Sequence, residues 1–282
     1  MTAVEVETPG TRPRARKRRR SRLLRGRGLH SYTWLIVCWL YLPILVMVAF
    51  GFNNTSGKYN FTWQGFTLTW YRHVFALPDL THALVNSLTI ALIATVISTT
   101  LGTLVGMALG KYRFRGRGGV DLVLFAAIAS PEVVLGSALL SLFLTFNVAL
   151  GYLTIVICHV MFCIPFVAVT VRARMAGFDH ALEEAARDLG ASAWTTFRLV
   201  TLPLLLPGVM AGALLAFALS IDDYIITSFN AGQTLTFPLW IWGATRVGVP
   251  PQVNVMGTLI FVVGIGAAVA NAFALRRRRT HA

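Results

Sequence analysis

The chain has 282 residues, of which 56% are hydrophobic and only 13% charged. Soluble domains carry about 25% charged residues, so the shortfall excludes an ordinary soluble protein and marks a membrane protein. The net charge is +14, but the basic residues stand in clusters between apolar runs, a pattern that disfavours nucleic-acid binding.

Residues 1–28 form a polar tail with ten Lys/Arg between Arg12 and Arg27. Such a run reads as a solvated, disordered cytoplasmic tail. Beside a membrane it also suits anionic lipid headgroups, at about 1 kcal/mol per basic residue. Arg19-Arg20-Ser21 lies before the first apolar run, but no small-residue cleavage site follows. The tail and first span therefore read as a retained anchor.

Six apolar segments follow, at about 32–52, 84–110, 120–146, 152–171, 204–229 and 253–275. About 20 apolar residues cross the hydrocarbon layer as a helix. The expected fold is all-α: a polytopic membrane protein with six transmembrane helices, the permease domain covering 29–282. Cys38, Cys158 and Cys163 all fall inside apolar segments and read as packing residues. With the N-terminus inside, 22 of the 25 Lys/Arg fall on inside segments; Lys58, Arg72 and Arg246 remain outside. That bias places both termini in the cytoplasm.

The first outer loop, Asn53 to Ala83, is rich in aromatics, including Trp63, Trp70 and Tyr71. Aromatics at an interface are ordinary belt residues. The third, Asn230 to Gln252, holds Gly232, Pro238, Pro250 and Pro251 and reads as a shaped, partly re-entrant turn.

The longest polar interruption of the second half is the loop 172–203. Asp179 suits a helix start. Leu182, Ala185, Ala186 and Leu189 fall at i, i+3, i+4 and i+7 and make one apolar face. Glu183 and Arg187 form an i,i+4 pair on the other face. Gly190 suits the left-handed residue that ends a helix. Ser192 suits the cap of a second short helix through about Val200, with Pro203 and Pro207 opening the next segment. A small-faced helix–turn–helix between two spans can insert into a groove on another protein.

These residues resemble the EAA loop of ABC-importer permeases. Glu184-Ala185-Ala186, three residues, Gly190, nine residues, Val200, one residue, then Leu202-Pro203 matches that pattern at every fixed position. Further stretches are similar to the second permease subunit of spermidine/putrescine importers. They are Trp63-Gln64-Gly65-Phe66-Thr67 with Trp70-Tyr71, Ser130-Pro131-Glu132, Leu219 to Asp223, and Gly248 to Asn254. The resemblance covers nearly everything from Tyr32 to Leu275. It implies a type I, binding-protein-dependent importer permease in the cytoplasmic (inner) membrane. Glu184, Ala185, Ala186, Gly190, Leu202 and Pro203 would couple it to ATPase subunits. Its partners would be a second homologous permease, two ATPase subunits, an extracytoplasmic solute-binding protein and membrane lipid, with no nucleic acid.

No phosphate loop is present to bind ATP. Gly106 to Tyr112 has three residues between its glycines rather than four, and Tyr112 stands where Ser/Thr would hold magnesium. The chain is therefore expected to be no enzyme and to carry no cofactor, with ATP bound by partner subunits. His73, His82 and His159 stand isolated, which argues against a metal site.

Acids within the spans are the informative remainder. One at mid-span costs roughly 2.5–3.5 kcal/mol on the milder insertion scale. Glu132 follows Pro131 halfway along the third span, and Asp222 and Asp223 sit within the fifth. For Glu132 two readings stand: a hydrogen bond at a proline break, or a place on the solute path. Asp222 and Asp223 read as functional. With Trp63, Trp70 and Tyr71 these acids offer charge and aromatic faces, which a small organic cation needs; putrescine and spermidine fit, and anions are disfavoured. Iron(III) and thiamine, both cationic, are alternative solutes for the same machine, as is another small solute. A self-contained cation transporter or channel is the competing class; its mark would be an internal inverted repeat, and no convincing one is present.

Overall fold

The computed structural model describes residues 15–56 and 59–280; side chains at 15–29, and at several positions beyond 266, are not described. The described residues are almost wholly helical and contain one isolated antiparallel bridge, Asn53 to Phe66.

Helix α1 runs Ala15–Phe50, and its apolar part is His30–Phe50. The expected disordered tail therefore holds at most for residues 1–14, which lie outside the described residues. From Ala15 the backbone is helical, as a run of Arg, Lys and Leu permits. A short α2, Thr69–Arg72, lies in the loop after α1, and α3 spans Pro78–Lys111. Then come α4 (Arg117–Ala129) and α5 (Glu132–Thr145), followed by α6 (Tyr152–Met175).

The expected continuous third span, 120–146, is not one helix. It bends by 108° between α4 and α5. The cause is Pro131, which has no N–H and forces Ser130 into an extended conformation, φ −72° and ψ 134°.

Loop helix α7 is Ala181–Asp188. α8 (Ala193–Thr196), a π-helical turn (Phe197–Thr201) and α9 (Leu202–Ile221) then form one continuous 29-residue span. The expected separate helix ending near Val200 is thus absent. The π turn carries the chain through, and Pro203 falls in the first turn of α9, where a missing donor costs least. The fifth span also breaks early: α9 ends at Ile221 and a short α10, Ile225–Asn230, follows. The outer segment expected as a turn contains α11, Phe237–Val247. Finally α12 runs Pro251–Thr280, and the sixth expected span falls on it; its described apolar stretch is Pro251–Gly266.

Four helices among the described residues are long and apolar enough to cross a membrane, and the bent α4–α5 pair makes a fifth. The core centres on α6, whose Cys158, Phe162, Cys163, Val167 and Val171 are buried. Small residues bring its neighbours close. Cβ atoms on Gly102, Gly106 and Gly110 of α3 would lie 2.6 Å from Val167, Ala168 and Met175 of α6. On α9, a Cβ at Gly208 would lie 2.7 Å from Arg174 and one at Gly212 3.2 Å from Val167. Membrane helices associate by this kind of close approach, because lipid gives no hydrophobic drive between them.

Candidate functional site

Two regions carry chemistry: the polar loop and the acids at the helix breaks. In the loop, Asp179 Oδ1 accepts the Ala181 N–H at 3.0 Å and starts α7. Gly190 takes φ +86°, the left-handed conformation its position required. Ser192 Oγ accepts the Thr195 N–H at 3.2 Å and caps α8. The apolar face of α7 does not pack on this chain: Leu182 is exposed and Leu189 is 89% exposed. Glu184 and Ala185 are also exposed, Ala186 is half-buried, and Leu202 is half-buried with Pro203 exposed beside it.

The buried side chain of α7 is Glu183, 4% exposed. The expected Glu183–Arg187 pair is replaced by an inward one. Lys111 Nζ donates to Glu183 Oε2 at 2.5 Å, and Thr201 Oγ1 donates to Oε1 at 2.5 Å. Burial pushes the Glu183 carboxyl upward, but the bonds from Lys111 and Thr201 outweigh it and hold it below the ordinary carboxylate value. A depressed carboxylate stabilises the fold above its unfolded pKa and loses that contribution as pH falls through its folded one. The tether is thus intact at neutral pH.

At the second break, Asp223 is 7% exposed. Its carboxylate accepts the N–H groups of Ile226 and Thr227 at 3.3 and 2.8 Å and the Thr227 hydroxyl at 2.7 Å. These bonds start α10 and explain why the fifth span stops at Ile221. His159 of α6 is not isolated. Its Nε2 lies 3.2 Å from Asp223 Oδ2 and 2.9 Å from Thr227 Oγ1, and its Nδ1 lies 2.7 Å from Ser220 Oγ. With the proton on Nε2, every partner is satisfied: Ser220 donates to Nδ1 and Nε2–H points at Asp223 and Thr227. At the far end of α10, Asn230 Nδ2 donates to the Gly136 carbonyl of α5 at 3.1 Å, and the Asn230 carbonyl accepts from Thr154 of α6 at 2.8 Å.

Asp222 is turned the other way. It is exposed and lines a cleft of about 530 Å³ between α1, α9, α11 and α12. The rest of the cleft is mostly apolar, with the Tyr224 and Trp242 rings 5.2 Å apart and tilted by 43°. The Arg246 guanidinium lies 5.9 Å over the Trp242 ring, so that ring already faces a cation. Glu132 opens α5, exposed, within electrostatic reach of both Asp222 and Asp223. Glu132 itself does not line the Asp222 cleft.

The outer-loop aromatics are placed elsewhere. Asn53 organises that loop: its Nδ2 donates to Asn60 and to the Thr62 carbonyl, and its Oδ1 accepts the Gln64 N–H. The Trp70 indole donates to the Asn53 carbonyl at 2.8 Å, and Tyr71 stacks on Phe52 at 4.7 Å. Trp63 is exposed and meets Phe50 edge-on at 6.4 Å. None of the three lines the Asp222 cleft.

Residues 102–277 match the family described as the binding-protein-dependent transport system inner membrane component. The chain belongs to this family. The matched stretch contains the whole EAA loop and all three acids, and it omits Trp63, Trp70 and Tyr71. The chain is 39% identical over 251 residues to the spermidine/putrescine transport system permease protein PotC of Escherichia coli, covering 89% of this chain and 93% of that protein. It is 37% identical to PotC of Haemophilus influenzae over 88% and 96%, and 38% identical to the putrescine permease PotI of Escherichia coli over 82% and 85%. Among solved structures, a bacterial alginate ABC transporter shares the fold with TM-score 0.63 over 96% of this chain and 99% of that one, at 18% identity. The MetNI methionine transporter matches with TM-score 0.59 over 70% and 95%, at 17% identity. The fold is that of type I ABC-importer permeases, in a multi-pass inner-membrane protein.

Within this permease, reading the residues alone missed Tyr224, Trp242 and His159. A signal for α11 existed: Phe237, Trp240, Ile241 and Ala244 fall at i, i+3, i+4 and i+7. Nothing local marked His159, whose partners are 61 to 68 positions away. Among the described residues no group of three or more His, Cys, Asp or Glu is placed to hold a metal ion.

Proposed function

We propose that this permease moves a small organic cation, putrescine or spermidine, inward across the cytoplasmic membrane. The observation that carries the reading is Asp222 facing an aromatic cleft. A polyamine presents ammonium groups separated by short alkyl chains. Carboxylates answer the charge, and the Tyr224 and Trp242 faces answer both the methylenes and the charge. Weak contacts in sequence suit a path that must release its cargo. The relatives named for spermidine and putrescine transport support the same solute.

In this reading ATP is bound and hydrolysed by two partner ATPase subunits, and this chain carries no catalytic residue or cofactor. A second permease completes the path, and a solute-binding protein delivers cargo from outside; one of the alginate-transporter structures is a complex with its periplasmic protein. The coupling surface is the exposed face of α7 with Glu184, Ala185 and Ala186, aimed by the Gly190 turn and carried into α9 through Leu202 and Pro203. A β-branched residue at Gly190 strains a left-handed turn and misaims α7. The Glu184→Lys/Gly190→Val chain should therefore insert normally yet lose the co-purifying ATPase. Full co-purification with full uptake would contradict that role.

The basic-residue bias supports cytoplasmic termini. Reporter fusions after Phe75 and Thr245 should read outside, and those after Arg117 and Arg279 inside. A fusion with the opposite sense would overturn this orientation.

A further inference from the structure

We propose that the Lys111–Glu183–Thr201 cluster is the rigid strut that carries motion from α7 to the membrane helices. The inference rests on the reading of α7 as the ATPase-docking helix and names the residues that make docking mechanically useful.

The geometry starts from how weakly α7 is held by its own chain. On one side it joins α6 through a turn containing Gly177, and on the other it joins α8 through Gly190. A Cβ at either glycine would meet nothing within 4 Å, so neither turn packs on the rest of the chain at its glycine. The face of α7 bearing Leu182, Ala185 and Leu189 is exposed. Against this, Glu183 is buried and reaches two elements at once. Lys111 is the last residue of α3, and Thr201 is the last residue of the π turn that feeds α9. Each bonds a different carboxylate oxygen at 2.5 Å. His180 Nδ1 lies 3.8 Å from the same Oε2.

Those partners are the cytoplasmic ends of the helices that pack on α6. A push on α7 thus has one stiff route, through a part-buried ion pair, and two yielding ones. Pulling the pair apart would leave the buried Glu183 carboxylate uncompensated, so the pair resists a change of geometry. The EAA pattern begins at Glu184, one residue later. The division of labour is that Glu184 faces the docking side while Glu183 faces the membrane domain.

The test uses the assembled importer: this chain with its partner permease and ATPase subunits in nanodiscs. Spin labels replace Arg187 on α7 and Phe114 just beyond α3. Distances are measured without nucleotide and after trapping with ATP and vanadate. With the strut intact, α7 and α3 move together and the mean distance is the same in both states. In Lys111→Met, the ATPase should stay bound but the distance should shift on trapping, by about 1–2 Å or more. The ATPase response to nucleotide-driven closure should weaken by about tenfold, the ordinary scale of inter-site coupling. The Lys111→Glu/Glu183→Lys exchange should restore a single distance, which a role in mere folding would not produce. A Lys111→Met distance that does not change on trapping, or an exchange no better than the single variant, overturns the strut. Loss of the ATPase from Lys111→Met also overturns it, since the cluster would then serve docking. An ATPase that binds the Glu184→Lys/Gly190→Val chain as well as wild type overturns the docking reading instead.

Discussion

Asp222→Asn should lower putrescine uptake by about 10- to 100-fold while the importer assembles normally. The size follows from the roughly 1.5–3 kcal/mol that a hydrogen bond to a charged group is worth. The change removes a charge and keeps the shape, and Asp222 makes no side-chain bond that holds the described fold together. Trp242→Leu should cost less, roughly 3- to 30-fold, because a cation–π contact is worth about 0.5–2 kcal/mol. Transport assays on matched amounts of protein would decide. Unchanged uptake in both variants would remove the cleft from the path.

Asp223→Ala should act on stability instead. The carboxylate starts α10 through Ile226 and Thr227, and it faces His159, which is 2% exposed. Its loss strands the two backbone donors of Ile226 and Thr227 in a buried site and removes one acceptor from the Thr227 hydroxyl and from His159. Leaving buried hydrogen-bonding groups unpaired costs roughly 1–3 kcal/mol each. Thermal unfolding in detergent should show a clear drop for Asp223→Ala and little change for Asp222→Asn. Equal melting of the two would contradict the assignment of one acid to the cleft and its neighbour to the fold. Neighbouring acids with opposite duties follow from helix geometry. The helix ends just before them, at Ile221, so one side chain turns inward to start α10 and the other stays at the surface.

Most of the architecture was legible because membrane helices are long and apolar, and their ends are marked by charge. Spans on α1, α3 and α6 follow directly from that. Breaks were harder. Ser130-Pro131 carries a local steric reason for a bend, but the 108° angle is set by packing of α5 against α10, which no window of sequence contains. The loop was readable in detail at Asp179, Gly190 and Ser192, where backbone chemistry is local. It misled at Glu183, because i,i+4 spacing offered Arg187 while the real partner, Lys111, is 72 residues away. The outer-loop aromatics stand apart from the Asp222 cleft: the hydrogen bond of Trp70 and the stacking partner of Tyr71 belong to the loop around Asn53. The aromatic pair facing Asp222 came from Tyr224 and Trp242, brought together only when α11 folds back over the cleft.

The most direct test of the solute is uptake of labelled putrescine and spermidine by cells that lack other carriers, with this chain expressed beside its partner permease, ATPase and binding protein. Saturable, ATP-dependent uptake of at least one polyamine, competed by the other and unaffected by excess sulfate or phosphate, is the predicted result. Uptake of neither polyamine, with transport of an anion, iron(III) or thiamine by the same assembly, would contradict it.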